Sequence, residues 1–447
     1  MVQAIKKYTF DKGGIHPPDH KELTRNLPVE TMPLPDELWV SMAQHFGAPA
    51  TPLVKRKDRV GEGDLIGAVE KGLGANVHSP ASGEVVAIAS VPHPILGKVP
   101  AVVIKVDHSA PPKDYEARPW DGLSPQELLG RIKEAGIVGM GGAGFPTHIK
   151  LNPPPQAKVD TLIINGAECE SYLTADHRLM VEHPEEVVEG VAIIMKILGV
   201  ARAYIGVELN KPEAIEALEQ AVKKSARQIT VAPLEVKYPQ GSEKQLIQAI
   251  TGRRVPGGGL PADVGCVVQN VGTTWAIYQA VVLGKNLYER ILTVSGRGVK
   301  RPANLLCRVG VRVADIVDYL GGLSEETVKF ILGGPMMGFA MADLSAPVTK
   351  TTSGVTFLSR KEADLSNYGP CIRCGRCLAV CPMGLSPNEI SIYMEKGRFE
   401  DTPRFGLLDC FECGCCAFIC PSKRPLVQFI RTAKMKLRQK AMATKKG

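Results

Sequence analysis

Two copies of one phrase hold eight of the twelve cysteines: Cys371, Cys374, Cys377 and Cys381 before Pro382, and Cys410, Cys413, Cys416 and Cys420 before Pro421. Each copy reads Cys-x2-Cys-x2-Cys-x3-Cys-Pro, the spacing that binds a 4Fe-4S cluster, with the fourth thiolate reaching the other copy's cluster. Under that crossover one cluster takes Cys371, Cys374, Cys377 and Cys420, and the other takes Cys410, Cys413, Cys416 and Cys381. The chemistry is transfer of single electrons. The competing readings are a structural zinc pair and a disulfide framework. Zinc usually pairs two short Cys-x-x-Cys knuckles across a long spacer. Disulfides are disfavoured by cysteines this close together and by the lack of a signal-peptide pattern, which places the protein in the cytoplasm or on a membrane's cytoplasmic face. Cys415 is the odd thiol and is expected to point away from the clusters.

These ligands sit near one end of a chain of 447 residues, long enough for about three domains, each with its own core. Lys and Arg total 54 against 46 Asp and Glu, a net charge of +8. The excess is concentrated in a basic tail, 431–447, with Lys434, Lys436, Arg438, Lys440, Lys445 and Lys446. Such a tail is solvated, or lies against anionic lipid or an acidic partner. No aromatic residue alternates with those charges, which argues against nucleic acid. The most apolar helical stretch, 187–200, is broken by Glu189 and Lys196 and is too short to cross a bilayer.

The remaining segments must position whatever feeds the clusters. Gly13-Gly14-Ile15-His16-Pro17-Pro18 predicts an irregular arm. Between 54 and 106, β-branched runs punctuated by Gly61, Gly63 and Ser82-Gly83 predict a small β domain of the lipoyl or barrel-sandwich kind. It has no lysine at the hairpin tip for a swinging cofactor, so its role is docking or packing. Ser124-Pro125-Gln126-Glu127 starts a helix with a capping box. That helix runs into a loop rich in glycine, in which Gly139, Gly141 and Gly144 fit G-x-G-x-x-G. The Rossmann form needs a strand there. A bare glycine loop is a turn as readily as a seat for a phosphate or flat ring, with Lys150 downstream. Three later segments repeat one arrangement, a strand or loop leading to polar residues and a helix start: 162–172, 238–250 with Ser242 as cap, and 267–281.

Taken together these motifs are similar to a known family. Residues 139–147 resemble the flavin loop of the FMN-binding, NADH-oxidising subunit of respiratory complex I. The order of arm, barrel-sandwich domain, flavin domain and two-cluster tail resembles the RnfC (RsxC) component of the Rnf ion-translocating complexes. The resemblance implies a multidomain α/β and α+β chain. Its parts are an arm (1–40), a barrel-sandwich hybrid (41–115), an FMN and NADH domain (120–286), a β-grasp module of SLBB type (287–350) with a helix over 311–320, a helical two-cluster domain (360–430) and the tail. It implies that Gly139, Gly141, Gly142 and Gly144 form the flavin loop and that Lys150 contacts the FMN. Asn165 and Glu168 would line the isoalloxazine, Tyr238 and Gly241 would flank it, and Asn270 with Thr273 would hold the phosphate. Phe145, Glu170 and Glu243 would face NADH. Three positions depart from the complex I pattern: Met140 for arginine, Ala167 for aspartate and Ser242 for glutamate.

The family reading implies hydride exchange between NAD(H) and non-covalent FMN, and single-electron relay through two clusters. It implies membrane and ferredoxin-type partner subunits, coupling to Na+ or H+ movement, and a peripheral place on the cytoplasmic face of the cell membrane. Two rivals are a cobalamin reductase built from the same modules, in which the barrel-sandwich domain follows the clusters, and a cluster-bearing adaptor that has lost its flavin. Cys169 reads as a buried structural cysteine or a redox thiol, Cys266 and Cys307 as core. Met336-Met337 reads as a packed turn.

Overall fold

The computed structural model describes residues 7–444; Lys445, Lys446 and the first six residues of the arm lie outside them. Ser124 Oγ accepts from the Glu127 amide while Glu127 Oε2 accepts from the Ser124 amide, and Pro125 opens the helix Pro125–Glu134. This is the capping box expected from the sequence. The helix packs on the central domain, whose four-stranded sheet is wholly parallel: Ile229–Leu234, Ala203–Glu208, Thr161–Asn165 and Cys266–Asn270, in that spatial order. Asn165 and Asn270 stand side by side at its carboxyl edge, where open α/β sheets present their ligand crevice. The helix Pro184–Leu198 covers one face with Val187, Val188, Val191 and Ile194. No helix among the described residues is long and apolar enough to cross a membrane.

The β domain is two small antiparallel sheets. Glu37–Ser41, Gly97–Val106, Gly83–His93 and Arg59–Val60 form one; Thr51–Pro52, Leu65–Ala68 and Val77–His78 form the other. Its core continues into that of a six-stranded sheet, with Leu38, Ile66 and Ile104 in one apolar cluster with Leu292, Leu305 and Phe357. That second sheet is the β-grasp module, and its helix is Val313–Tyr319.

Three boundaries move. The arm gives up Glu37–Ser41 to the barrel sheet, and Val29–Thr31 pairs in parallel with Ala303–Arg308. The β-grasp sheet extends past 350, because Gly354–Ser359 lies inside it between Glu289–Ser295 and Thr327–Leu332. Most of the basic tail is the helix Leu426–Thr444, whose Ile430 and Ala433 are buried with Ile390 and Leu407. A sequence rich in Lys and Arg hides such a helix, because only one face is apolar.

Candidate functional site: a glycine cradle beside two thiol cages

The Gly139 amide donates to the Phe145 carbonyl at 2.9 Å and closes the glycine loop. The loop lies flat on the sheet edge: a β-carbon built on Gly141 would come within 2.9 Å of Asn270 Cβ. Gly144 takes a φ of +70° and its β-carbon would meet Thr351, whereas at Gly142 nothing lies within 4 Å. The outer side of the loop is therefore bare backbone open to solvent. Beneath it Thr273 Oγ1 accepts from the Met140 amide (2.8 Å), and Asn270 caps its helix through the Thr273 amide and donates to Asp176 (2.8 Å). Asn165 donates to the Gly241 carbonyl at 2.7 Å. Gly139, Gly141, Gly142, Gly144, Asn165, Gly241, Asn270 and Thr273 are thus brought together. A ledge whose outer side carries nothing larger than the Ala143 methyl, framed by amides, fits a flat ring and its phosphate.

Other expected site residues have different partners. Lys150 pairs with Glu243. Phe145 lies against Phe46 of the barrel domain, ring centroids 5.9 Å apart. The Glu168 carboxylate accepts from the Asp176 and His177 amides (2.7 and 3.2 Å), so it caps the helix Ala175–Glu182, and its backbone rather than its acid borders the cradle. Glu170, expected to meet the nicotinamide, has both oxygens held by the Met336 and Met337 amides (3.1 and 2.8 Å). Enclosure by the Gly334 turn pushes its carboxyl up to about 7. It is a tie between domains. Ser242 starts its helix without a side-chain cap. Met140 is core, and its amide alone serves the loop.

Each cysteine phrase repeats one backbone path. Arg373, Gly375 and Gly384 in the first, and Glu412, Gly414 and Lys423 in the second, all take positive φ at matching positions. Cys371, Cys374, Cys377 and Cys420 line one cavity; Cys381, Cys410, Cys413 and Cys416 line the other, together with Cys415, which was expected to point away. Among the described residues no three Cys, His, Asp or Glu side chains are placed to grip a single metal ion. Four thiols around one cavity match the four irons of a cube.

The cages differ in what covers them. In the first, Cys374 and the neighbouring Ile372 are exposed. The second is sealed. The Tyr238 hydroxyl donates to the Cys413 carbonyl at 2.7 Å, and Glu412 pairs with Arg431 and Lys434. The Gly14 amide donates to the Val380 carbonyl (2.9 Å), and a β-carbon on Gly13 would lie 2.6 Å from that oxygen. Only glycine fits there, which explains part of the arm's motif. Cys415, expected to point away, is fully buried beside Ile15 and Tyr238. Cys169 accepts from the Gly241 amide, and burial pushes its thiol up to about 12, so it is an inert wall of the cradle.

Sequence reasoning placed Gly13 and Ile15 in the arm without a role there, and missed Lys21, Lys211, Asp176 and Arg290. All sit beneath the cradle or between it and the second cage, but a lone lysine or glycine in a loop carries no periodic signal that could have found it.

Comparison with known proteins follows the same division. Residues 8–109 match the RnfC barrel sandwich hybrid domain, 132–279 the Nuo51 FMN-binding domain, 291–340 the SLBB domain and 370–423 the 4Fe-4S dicluster domain. The chain is 49% identical to the C subunit of the proton-translocating ferredoxin:NAD(+) oxidoreductase complex of Clostridium ljungdahlii, over 95% of this chain and 93% of that one. It is 44% identical to the Na(+)-translocating counterpart of Acetobacterium woodii (97% and 98% covered) and 43% identical to the C subunit of the ion-translocating oxidoreductase complex of Rhodobacter capsulatus (96% and 83%). Among solved structures, an NAD+-reducing NiFe-hydrogenase in the H2-reduced state shares the fold, with a TM-score of 0.50 at 19% identity over 70% of this chain and 61% of that one.

Proposed function

This chain belongs to the RnfC family of ion-translocating ferredoxin:NAD(+) oxidoreductase complexes, and from that premise we propose that it works on the cytoplasmic face of the cell membrane, as the arm where NAD(H) enters or leaves. It is a subunit of a translocase that couples electron transfer between ferredoxin and NAD(H) to ion movement, and other Rnf subunits are its partners. Its cofactors are FMN and two 4Fe-4S clusters. With no membrane-spanning helix among its described residues, it is a peripheral member of the complex.

FMN supplies the conversion between a two-electron hydride and single electrons. What this chain contributes is placement. The ledge at Gly139, Gly141, Gly142 and Gly144 would bear the ring, with Asn165 and Gly241 alongside it. Lys150 is the cation available to the phosphate or to NADH, and its pairing with Glu243 holds it in place. Asn270 and Thr273 fix the loop from below. Phe145 and Glu243 border the entry; Glu170 only braces it. The eight cage cysteines ligate the clusters in crossed sets.

One observation carries this reading. Tyr238, at the flank of the cradle, hydrogen-bonds through its phenol to the backbone of Cys413, a ligand of the sealed cage. The cradle and the sealed cage thus share one buried core, which supports a flavin seated beside that cage. Anaerobic purification of the full chain tests the reading. Close to one FMN per chain, bleached by NADH, is the expected result; iron and sulfide without flavin would overturn it.

A further inference from the structure

The segment 167–173, which leaves the strand Thr161–Asn165 and forms a wall of the cradle, is held by two buried ammonium groups from opposite sides. Lys21 comes from the arm. Its Nζ donates to the carbonyls of Glu168 (3.0 Å), Glu170 (2.9 Å) and Leu173. Lys211 lies beyond the neighbouring strand Ala203–Glu208, and its Nζ donates to the carbonyl of Ala167 (2.6 Å), to Asn210 Oδ1 (3.0 Å) and to Glu208 Oε2 (3.3 Å). Both side chains are fully enclosed, at 3% and 0% exposure. The wall borders the ring's seat: a β-carbon on Gly241 would touch Cys169 Sγ at 3.2 Å and Ala167 Cβ at 3.5 Å.

The two lysines are not equivalent. Lys211 has a carboxylate partner in Glu208. The three N–H donors of Lys21 are all taken by carbonyls, and the carboxylates that favour its charge, Glu168 and Glu208, act through space without touching it. Burying an ammonium is costly, and three charge-assisted bonds are what such a site needs to hold it. The backbone it grips is itself unusual, with Glu168 at φ +44° and Tyr172 at +68°. Further bonds stitch the arm to this wall: Ser171 Oγ to the Pro18 carbonyl, the Tyr172 amide to the Asp19 carbonyl, and Thr24 to Thr174.

We propose that Lys21 is a positioning residue for the flavin site: its buried charge, bound only to backbone carbonyls, shapes the wall at 167–173 and raises the reduction potential of the flavin beside it. The inference rests on the flavin placement proposed above. Reduction adds negative charge to the ring, and a fixed cation in a low-dielectric surround stabilises the reduced form more than the oxidised one. The N-terminal arm is then part of the hydride site, although it lies outside the FMN-binding domain in sequence.

The test compares full-length Lys21→Met, Lys21→Gln, Lys21→Arg and Ser171→Ala, all purified with their clusters. The readouts are FMN retention and the flavin midpoint potential measured by redox titration. Lys21→Met and Lys21→Gln should hold FMN about tenfold more weakly, as expected for lost charge-assisted bonds, and titrate at a more negative potential. Lys21→Arg, which keeps the charge, and Ser171→Ala, which loses an arm contact but no charge, should titrate near the parent protein. If Lys21→Met fails to fold, Lys21→Gln decides. An unchanged potential in the neutral variants overturns the proposal, as does an equal loss in Lys21→Arg, which would mark Lys21 as a structural plug. A parent protein without flavin would instead refute the functional reading.

Discussion

The two thiol cages are built from one repeated phrase and nearly one backbone path, yet they are covered to different degrees. The cage of Cys371, Cys374, Cys377 and Cys420 opens to solvent beside the exposed Ile372. The cage of Cys381, Cys410, Cys413 and Cys416 is closed by Tyr238, by the glycine pair of the arm and by the Leu426–Thr444 helix. Ligand spacing decides that a cluster is bound, and the covering decides what the cluster is for. The second cage shares a core with Tyr238 and Cys169 of the cradle, which is why we propose that it, rather than the first, exchanges electrons with the hydride site. Hydrogen bonds and burial also tune cluster potentials, so identical ligand sets need not be redox twins.

The largest effect that tests this contrast is outright loss of a cluster. Cys381→Ser should give the same electron paramagnetic resonance spectrum as Cys413→Ser, and Cys420→Ser the same as Cys374→Ser. If Cys381→Ser matches Cys374→Ser instead, the ligands are not crossed and the comparison is between the wrong sets. Next comes the seal. Gly13→Ala meets both a φ of +69° and a carbonyl oxygen 2.6 Å from its new methyl, and should destabilise the protein by about 3 kcal/mol. Gly375, beside the open cage, shares the positive φ but has nothing within 4 Å, so Gly375→Ala should cost only about 1 kcal/mol. Denaturant melts compare them, and equal losses would remove the claimed asymmetry.

The domain that carries the cradle should also show a pH dependence. Burial, with Lys211 and Arg178 nearby, depresses His177 from 6.5 to about 3. A depressed folded value means that its contribution is complete above pH 6.5 and is lost as the pH falls toward 3, at about 1.4 kcal/mol per pH unit. At pH 5 the loss is about 2 kcal/mol. Glu170, raised from 4.5 to about 7, has the opposite sign: its contribution is complete below 4.5 and fades as the pH rises through 7. The difference between parent and His177→Leu isolates the histidine, and a difference constant from pH 7 to 5 would show that it titrates normally. The smallest effect is at the junction itself. Tyr238→Phe removes the hydrogen bond to Cys413 and should cost about 1 kcal/mol, with a shift in the sealed cluster's potential and none in the open one's.

The sequence made the cages legible because cluster ligation is local: eight cysteines at fixed spacing need no tertiary context. The glycine loop and the capping box at Ser124 could be read for the same reason. Glu170 and Glu168 were harder, because a glutamate in a site loop looks alike whether it faces a ligand, caps a helix or braces a domain, and only the Met336, Met337 and Asp176 amides settle which. Lys21 was invisible. Its burial depends on three carbonyls about 150 residues away, and nothing in the local sequence separates it from a solvated lysine. The domain limits at 40, 350 and 431 slipped for a related reason: strands and helices were lent across boundaries to complete sheets and cores that composition does not reveal.

The central claim is that the sealed cage, not the open one, is the flavin's neighbour. It is tested most directly by reducing Cys374→Ser and Cys413→Ser fully with dithionite, mixing each with excess NAD+ in a stopped-flow cell, and following the remaining cluster as NAD+ withdraws electrons through the flavin. The account predicts that the cluster left in Cys374→Ser is oxidised as fast as in the parent protein, while the one left in Cys413→Ser lags behind it. Parent-like oxidation in Cys413→Ser with a lag in Cys374→Ser would contradict the account.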